Sequence, residues 1–588
     1  MFDKIHYYYF NANYEKCLNL SEQFLKESPK FALEFATLSS YKLSLFQKAL
    51  YYAQELFSLN PTSFNGLMLA KSYIENLRLD EALNLLQTLL TRKDDLEDEL
   101  KLELAFIYKL SNKLEESEQI FKELLSKDMY NLNLWKNYAE IYFKHDFTKA
   151  LNAHEHLCHF MQDLIDKLQK GIIAEQTNLN LVKLEDRLHS KTKENLTISK
   201  IEDFLTHQIL PQKAYLLFKL FRISDSLELF QSLQEANQHH AQFWQNYAKV
   251  LEFNSNYQEA YHAYKKCLSL DSHATYQFDL AYLLMRMGVD DNFEEGKKYY
   301  ESRLFYAHNE TFSTYHYNES LKAFNKFGVD AFKNKEVLVF CEQGFGDTIM
   351  YARCLEKLCK IASKVLFAPQ SAMYEMFKNQ IKFLNQNDDI FKNVKVLKNL
   401  PTNFDYAIPI CSLPFFIDIK LDEILRLKTP ILPQKKPHNQ RKKLGIFYAT
   451  PNAENSDLLR NVKFEFLFDV LKDLDYEIIS FQMQLKEELP KVIEDRSKLI
   501  KNWNDTLNYL YDIDCMLSID SAIAHLSLAM DIPTIVLLHP RFDWRWGKFE
   551  NPKSYFWPKA KCFIIKEQEE TKRNLQKLIK DILNQSLV

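Results

Sequence analysis

Along the first 300 residues, large apolar positions recur at i, i+3 and i+7 of one helix-length segment, and a small residue stands in the segment that follows. In Phe243–Ser272, FWQNYAKVLEFNSNYQEAYHAYKKCLSLDS, the positions are Trp244, Tyr247, Ala248, Leu251, Ala260, Tyr264 and Cys267. The spacing predicts two amphipathic helices: the large residues form one buried stripe, and the small Ala260 lets the second helix cross the first closely. The small position recurs at Cys17, Ala49, Ala82, Ser117 and Ala150, then at Ser226 and Ala260, 32 to 35 residues apart within each group. Trp135-x-x-Tyr138-Ala139 and Leu104-Ala105 with Tyr108 repeat the first-helix signature, and Pro29 and Pro61 stand where the second helix should end. A looser last unit covers Phe278 to Arg303, with Gly296 in the small position. Residues 155–210 break the period and read as longer charged helices or an inserted hairpin. The expected array therefore has lobes at 1–154 and 211–330.

From Lys335 the pattern changes. Apolar runs at Val337–Cys341, Val365–Phe367, Tyr406–Ile408, Leu444–Tyr448, Glu477–Phe481, Cys515–Ile519 and Thr534–Leu538 alternate with helical stretches. Such alternation predicts parallel sheets covered by helices, with ligands bound beyond the C-terminal strand ends. The proline-rich stretch Thr429–Pro437 divides this region into halves at 335–432 and 433–588. The expected fold class is α plus α/β: a helical solenoid followed by two Rossmann-like halves.

Composition narrows the function classes. Only nine of 588 residues are glycine, against a usual share of about 7 %. Tight hairpins consume glycine, so the composition argues against an all-β fold. Part of the scarcity, with an excess of Lys, Asn, Ile, Phe and Tyr, reads as the drift of an AT-rich genome. The net charge of −4 supplies no field to recruit nucleic acid. The most apolar stretch, Ile513–Leu538, is interrupted by Asp514, Asp520, His525 and Asp531, so no transmembrane segment is expected. The N-terminal MFDKIHYYYF lacks the pattern of a secretory signal. Nine cysteines without a Cys-x-x-Cys pair suggest reduced thiols and no zinc site. A cytoplasmic protein is expected.

Two motifs carry candidate chemistry. In VLVFCEQGFGDTIMYARCLEKL a strand runs into Gly344-Phe345-Gly346-Asp347 and then a helix. Gly344 and Gly346 permit positive φ and close backbone approach. Taken alone, Asp347 reads first as a helix N-cap and second as a chemical carboxylate. In Ser518-Ile519-Asp520-Ser521-Ala522-Ile523-Ala524-His525 a strand again ends at a helix start, whose amides suit phosphate oxygens. His525 falls four residues after Ser521 on the same helix face. The alternative is that Asp520 and Ser521 only cap the helix and His525 packs in the core.

The repeat units resemble tetratricopeptide repeats over about 300 residues. The two motifs, with Asp543-Trp544-Arg545-Trp546 and Tyr555-Phe556-Trp557-Pro558, look like the heptosyltransferase-like glycosyltransferases of family nine, and more closely like bacterial proteins joining that domain to such repeats. The resemblance implies a GT-B fold, a nucleotide-diphosphate sugar held mainly by the second half, inverting chemistry without a metal, and no tightly bound cofactor. Asp347 matches the family's catalytic base; Asp520, Ser521, Ala522 and His525 match its donor-phosphate motif. Gly344 and Gly346 would let the acceptor hydroxyl approach, and Arg545 and Trp544 are candidates for phosphate and base contacts or else rim packing. The polar stretch expected after Gly445-Ile446-Phe447-Tyr448 is altered: Ala453–Asn461 keeps only an Asn and an Arg in register. Three functions are compatible with these observations: a protein O-glycosyltransferase whose repeat groove presents a polypeptide; a transferase acting on lipopolysaccharide or another surface glycan; and a non-catalytic adaptor with a degenerate transferase domain.

Overall fold

The computed structural model describes residues 2–170, 178–179, 194–195, 197–288, 290–305, 312–386, 388–434, 441–450, 460–483, 489–566 and 569–585. It falls into two compact units, residues 1–238 and 239–588. Most of the segment after Gln169 up to residue 196, and residues 451–459 of the altered stretch, lie outside the described residues.

The first unit is an array of antiparallel helix pairs, from Phe2–Phe10 with Tyr14–Phe24 to Leu210–Lys219 with Ile223–Leu233. Cys17, Ala49, Ala82, Ser117, Ala150 and Ser226 are all fully buried, as close helix crossing demands. Where the small residue is polar it bonds back to the partner helix twelve residues upstream. Ser117 Oγ donates to the Ala105 carbonyl (2.9 Å), Ser226 Oγ to that of Ala214 (2.7 Å), and Cys17 Sγ to that of Ile5 (3.6 Å). Except before Ala150, the turn inside each of these pairs contains one left-handed residue, five positions before the small one. These are Ala12, Ser44, Leu77, Asn112 and Phe221, with Ser255 in the second unit, at φ of 55 to 63°. A side chain in that conformation costs roughly 1–2 kcal/mol. The helix Phe147–Gln169 runs past the end of its repeat, and two short strands, β1 (Asn178–Leu179) and β2 (Glu194–Asn195), pair antiparallel beyond it.

The second unit begins with two further helix pairs, Ala241–Phe253 with Tyr257–Leu270 and Ala274–Met287 with Asp290–Tyr300. Two parallel sheets follow. The first contains β3 (Glu336–Phe340), β4 (Lys364–Ala368), β5 (Val394–Val396) and β6 (Tyr406–Pro409) in the order β5-β4-β3-β6. The second contains β7 (Lys443–Phe447), β8 (Glu477–Ser480), β9 (Ile493–Asp495), β10 (Cys515–Ile519), β11 (Thr534–Leu538) and β14 (Lys561–Ile564) in the order β14-β11-β10-β7-β8-β9. A small ribbon, β12 (Gly547–Lys548) with β13 (Asn551–Pro552), pairs antiparallel beside it. All seven strands expected from the apolar runs are present, shifted by no more than one residue at either end. The short strands β5, β9 and β14 were not expected.

One apolar core unites the last repeat with both halves. It runs from Ala281, Met285, Phe293 and Tyr300 through Val339, Ile349 and Ile408 to Met516, Val536 and Trp546. Buried polar anchors reinforce it. Arg286 reaches from the repeat to Gly547 O (2.9 Å) and Phe542 O (3.1 Å) while paired with Glu252 (2.7 Å). Lys297 donates to the Ile419 carbonyl (3.2 Å). The opposite face of the six-stranded sheet is closed by Leu467 and by Leu575 and Ile579 of the C-terminal helix Glu569–Gln585.

Candidate active site

In each sheet the strand order reverses beside the first strand of the half. Strands β4 and β5 lie to one side of β3 and β6 to the other; β8 and β9 lie to one side of β7 and β10 to the other. Adjacent loops diverge at such a point and open a crevice at the carboxyl ends of the strands. Both sequence motifs leave the sheets there. A cleft of about 770 Å³ is lined by Gln343–Asp347 after β3, Phe447 at the end of β7 and Thr450 beyond it, Phe481 and Met483 after β8, Asp520–Ile523 and His525 after β10, and Asp543 and Arg545 after β11. Tyr282, from the repeat helix Ala274–Met287, is part of the same wall.

The helix after β3 is Phe345–Tyr351, and Gly344 is its N-cap at φ −65° and ψ 169°. Asp347 is therefore in the first turn and does not cap the helix. Its Oδ1 accepts from Arg545 Nη2, and Oδ2 lies over Gly344, 3.4 Å from where a Cβ would stand. Neither Gly344 nor Gly346 has a positive φ; that conformation occurs at Gly288, Gly328 and Gly547. The positive φ expected of these two glycines is therefore not used. Gly346 is needed for space instead: a Cβ there would sit 2.8 Å from His525 Cδ2 and 3.6 Å from Ala522 Cα.

The loop carrying Asp347 is braced from the repeat. Arg303, in the turn Glu301–Phe305, grips the Glu342 carboxylate with Nη2 (2.9 Å) and Nε (3.2 Å), and the same carboxylate accepts from Cys411 N (3.2 Å). Arg303 also donates to Ser412 Oγ (2.7 Å) and Glu301 (2.9 Å). Burial pushes the Glu301 carboxyl upward, and Arg303 opposes the rise.

On the facing half, Ser521 caps the helix Ala522–Ala529, its hydroxyl accepting from Ala524 N (3.4 Å) and bonded to Ser518 Oγ (2.8 Å). Ser518 donates its proton to the Ile519 carbonyl (2.8 Å), so the shared bond takes the Ser521 proton. The Ser521 hydroxyl is thus engaged in the cap, while the amides of Ala522 and Ile523 head the helix without intrahelical partners. Asp520 is almost fully buried, and burial, aided by the charge of Asp543, pushes its carboxyl up to about 6. His525 is stacked on Trp546 (centroids 5.3 Å apart, 29°), and its Nδ1 accepts from Trp557 Nε1 (2.8 Å). Burial, then the charge of Arg545, pushes its imidazole down to about 3, so the ring is neutral across the ordinary pH range.

Arg545 spans the two halves: Nη2 on Asp347, Nη1 on Asp543 (2.7 Å), with Tyr300 OH at 3.3 Å. Its neighbour does not reach the cleft. Trp544 is 1 % exposed and packs on Tyr282, Tyr300 and Phe556. Adjacent residues of the tight turn Trp544–Trp546 point apart, which sends one into the cleft and the other into the core. The fold thus gathers Gly344, Gly346, Asp347, Asp520, Ser521, Ala522, His525 and Arg545 in one crevice and leaves Trp544 out.

Arg460, the arginine kept in register in the altered stretch, has its Nη1 3.9 Å from Asp520. Sequence reasoning missed Tyr282 and the Phe345–Trp503 ring pair (5.3 Å, 56°). Nothing local in the sequence points to them. Among the described residues no group of His, Cys, Asp or Glu side chains has the arrangement to hold a metal ion. The Asp512-Ile513-Asp514 pair is engaged by Lys443, Arg496 and Lys442. No described helix is long and apolar enough to cross a membrane.

No family model matches the chain, and no curated protein sequence does. Solved structures do. A tetratricopeptide repeat protein from Parabacteroides merdae is similar at 12 % identity and a TM-score of 0.34, covering 51 % of this chain and 96 % of that one. The ADP-heptose lipopolysaccharide heptosyltransferase II of E. coli is similar at 10 % identity and a TM-score of 0.29, over 43 % of this chain and all of that one. The dodecameric iron-containing heptosyltransferase TibC, solved with ADP-D-beta-D-heptose, is similar at 12 % identity and a TM-score of 0.30, over 44 % of this chain and 78 % of that one.

Proposed function

We propose that residues 239–588 form a cytoplasmic glycosyltransferase that moves a sugar from a nucleoside-diphosphate donor to an acceptor hydroxyl with inversion and without a metal. The reading rests on one observation: a carboxylate, Asp347, faces a helix N-terminus and a neutral imidazole across a single cleft built at the reversal points of two parallel sheets. Inverting transfer needs a base on one side of the anomeric carbon and stabilisation of the leaving group on the other. In this scheme the acceptor hydroxyl gives its proton to Asp347 and its oxygen bonds to the anomeric carbon. The bond from that carbon to the diphosphate oxygen breaks, and the electron pair leaves with the diphosphate. The amides of Ala522 and Ile523 and the His525 ring receive that charge. Arg545 orients Asp347 through Oδ1 and leaves Oδ2 for the acceptor.

The acceptor in this reading is a polypeptide hydroxyl. Its support is the repeat array of the first unit, because stacked helical pairs offer extended concave surfaces to peptide segments. The test uses a panel of ADP-, GDP- and UDP-sugars. Wild type is expected to bind one of them and release its sugar to protein or water. Asp347→Asn should bind the same donor with transfer reduced at least about 100-fold, the usual share of a positioned base. Normal transfer by a folded Asp347→Asn protein would remove Asp347 from this role, and mass spectrometry of cellular proteins with and without the gene reads the acceptor.

A further inference from the structure

Trp557 belongs to a sequence motif, Tyr555-Phe556-Trp557-Pro558, that the transfer scheme leaves without a task. It is 5 % exposed, its backbone amide donates to Ser554 Oγ (3.2 Å), and the Arg353 guanidinium lies 4.2 Å over its ring. The indole is therefore clamped, and its one polar atom meets His525 Nδ1 at 2.8 Å. An indole N–H only donates. His525 Nδ1 must then accept, and in a neutral imidazole the proton is left on Nε2. That edge of the ring faces Gly346 and Asp520: a Cβ on Gly346 would stand 3.4 Å from Nε2. Asp520 Oδ1, at 3.9 Å, is beyond hydrogen-bond reach, so Nε2–H remains available to a ligand in the cleft.

We propose that Trp557 is a positioning residue: its indole N–H locks His525 in the tautomer that presents Nε2–H to the diphosphate of the donor. The inference rests on the transferase reading and adds the part that sets the direction of the imidazole dipole. A ring with its proton on Nδ1 would turn a lone pair towards the phosphate oxygens and repel them. The chain thereby obtains a neutral donor that no change of pH in the ordinary range converts into an acid.

The test is 15N NMR of histidine-labelled full-length protein, with the His525 signals identified by their loss in His525→Gln, followed by titration with ADP, GDP and UDP. Wild type should show a protonated Nε2 and a bare Nδ1, unchanged between pH 8 and pH 5. Trp557→Phe should show a mixture of tautomers and bind the preferred nucleotide about 5- to 10-fold more weakly, the effect of one hydrogen bond. In a His525→Gln background there is no tautomer to lock, so adding Trp557→Phe should change nucleotide binding little. A wild type that binds none of the three nucleotides removes the transferase reading and this one together. A wild type that binds while carrying Nδ1–H removes this one alone. So does an equal loss from Trp557→Phe in both backgrounds, since that loss is packing. The wild-type spectrum decides the tautomer even where Trp557→Phe does not fold.

Discussion

Replacing Gly346 by alanine sets two effects of known size against each other. Alanine favours the helix Phe345–Tyr351 over glycine by up to about 1 kcal/mol. The added methyl, however, would lie 2.8 Å from His525 Cδ2, when carbon atoms prefer about 3.5–4.0 Å. The ring cannot retreat, because Trp546 is stacked on it and Trp557 holds its Nδ1. Overpacking a rigid site costs about 1–3 kcal/mol, so the clash wins by up to about 2 kcal/mol. Gly344→Ala is the control: its methyl meets Asp347 Oδ2 at an ordinary 3.4 Å, and the backbone at φ −65° accepts any residue. Denaturant unfolding followed by tryptophan fluorescence should therefore rank Gly346→Ala below wild type and Gly344→Ala level with it, and Gly346→Ala should also weaken nucleotide binding by displacing His525. A Gly346→Ala protein as stable as Gly344→Ala would refute the close approach of the two helices.

Arg303→Met would leave Glu301 and Glu342 buried without their cation, a loss of about 3–5 kcal/mol, and unfolding of residues 239–588 at a markedly lower denaturant concentration is expected. Burial keeps the proton on folded Asp520 up to about pH 6, against 3.8 ordinarily, so the folded state loses stability as pH rises from about 4 to about 6, where only the unfolded chain ionises, and the loss is complete above 6. Asp520→Asn should then be about 3 kcal/mol more stable than wild type at pH 8, with the advantage shrinking below pH 6 and gone below pH 4; an advantage that does not change with pH would contradict this. Leu77→Gly relieves the left-handed strain of an 81 % exposed residue, and a gain of about 0.5–1 kcal/mol is expected in thermal unfolding, whereas a loss would mean that Leu77 is not strained.

The repeats were legible because their signal is local: a small residue must stand where two neighbouring helices cross, and the chain states it every 32 to 35 residues. The expected strands were legible for a related reason, since a strand buried on both faces is an unbroken apolar run. The short edge strands β5 and β9 are only partly buried, so their residues carry no such run. At the site, Asp347, Asp520 and His525 could be located from the strand-to-helix junctions, but their partners could not. Arg303 is separated from Glu342 by 39 residues and Tyr300 from Arg545 by 245, and no periodicity encodes such pairings. Gly346 shows the same boundary. Composition marked Gly344 and Gly346 as special, yet the need at Gly346 comes from a histidine almost 180 residues away.

Arg286, Tyr300 and Arg303 tie the last two helix pairs to the two sheets that hold the candidate site, while the pairs before residue 239 form a unit of their own. That boundary determines where the gene tolerates change. Duplication or loss of whole repeats upstream of residue 239 alters the length of the array and leaves every contact around Asp347 intact. The same event between residues 239 and 303 removes the arginines and tyrosine on which the cleft is built. Array length is thus free to diverge among descendants of this chain, whereas its final two repeats are inherited with the candidate site as one piece.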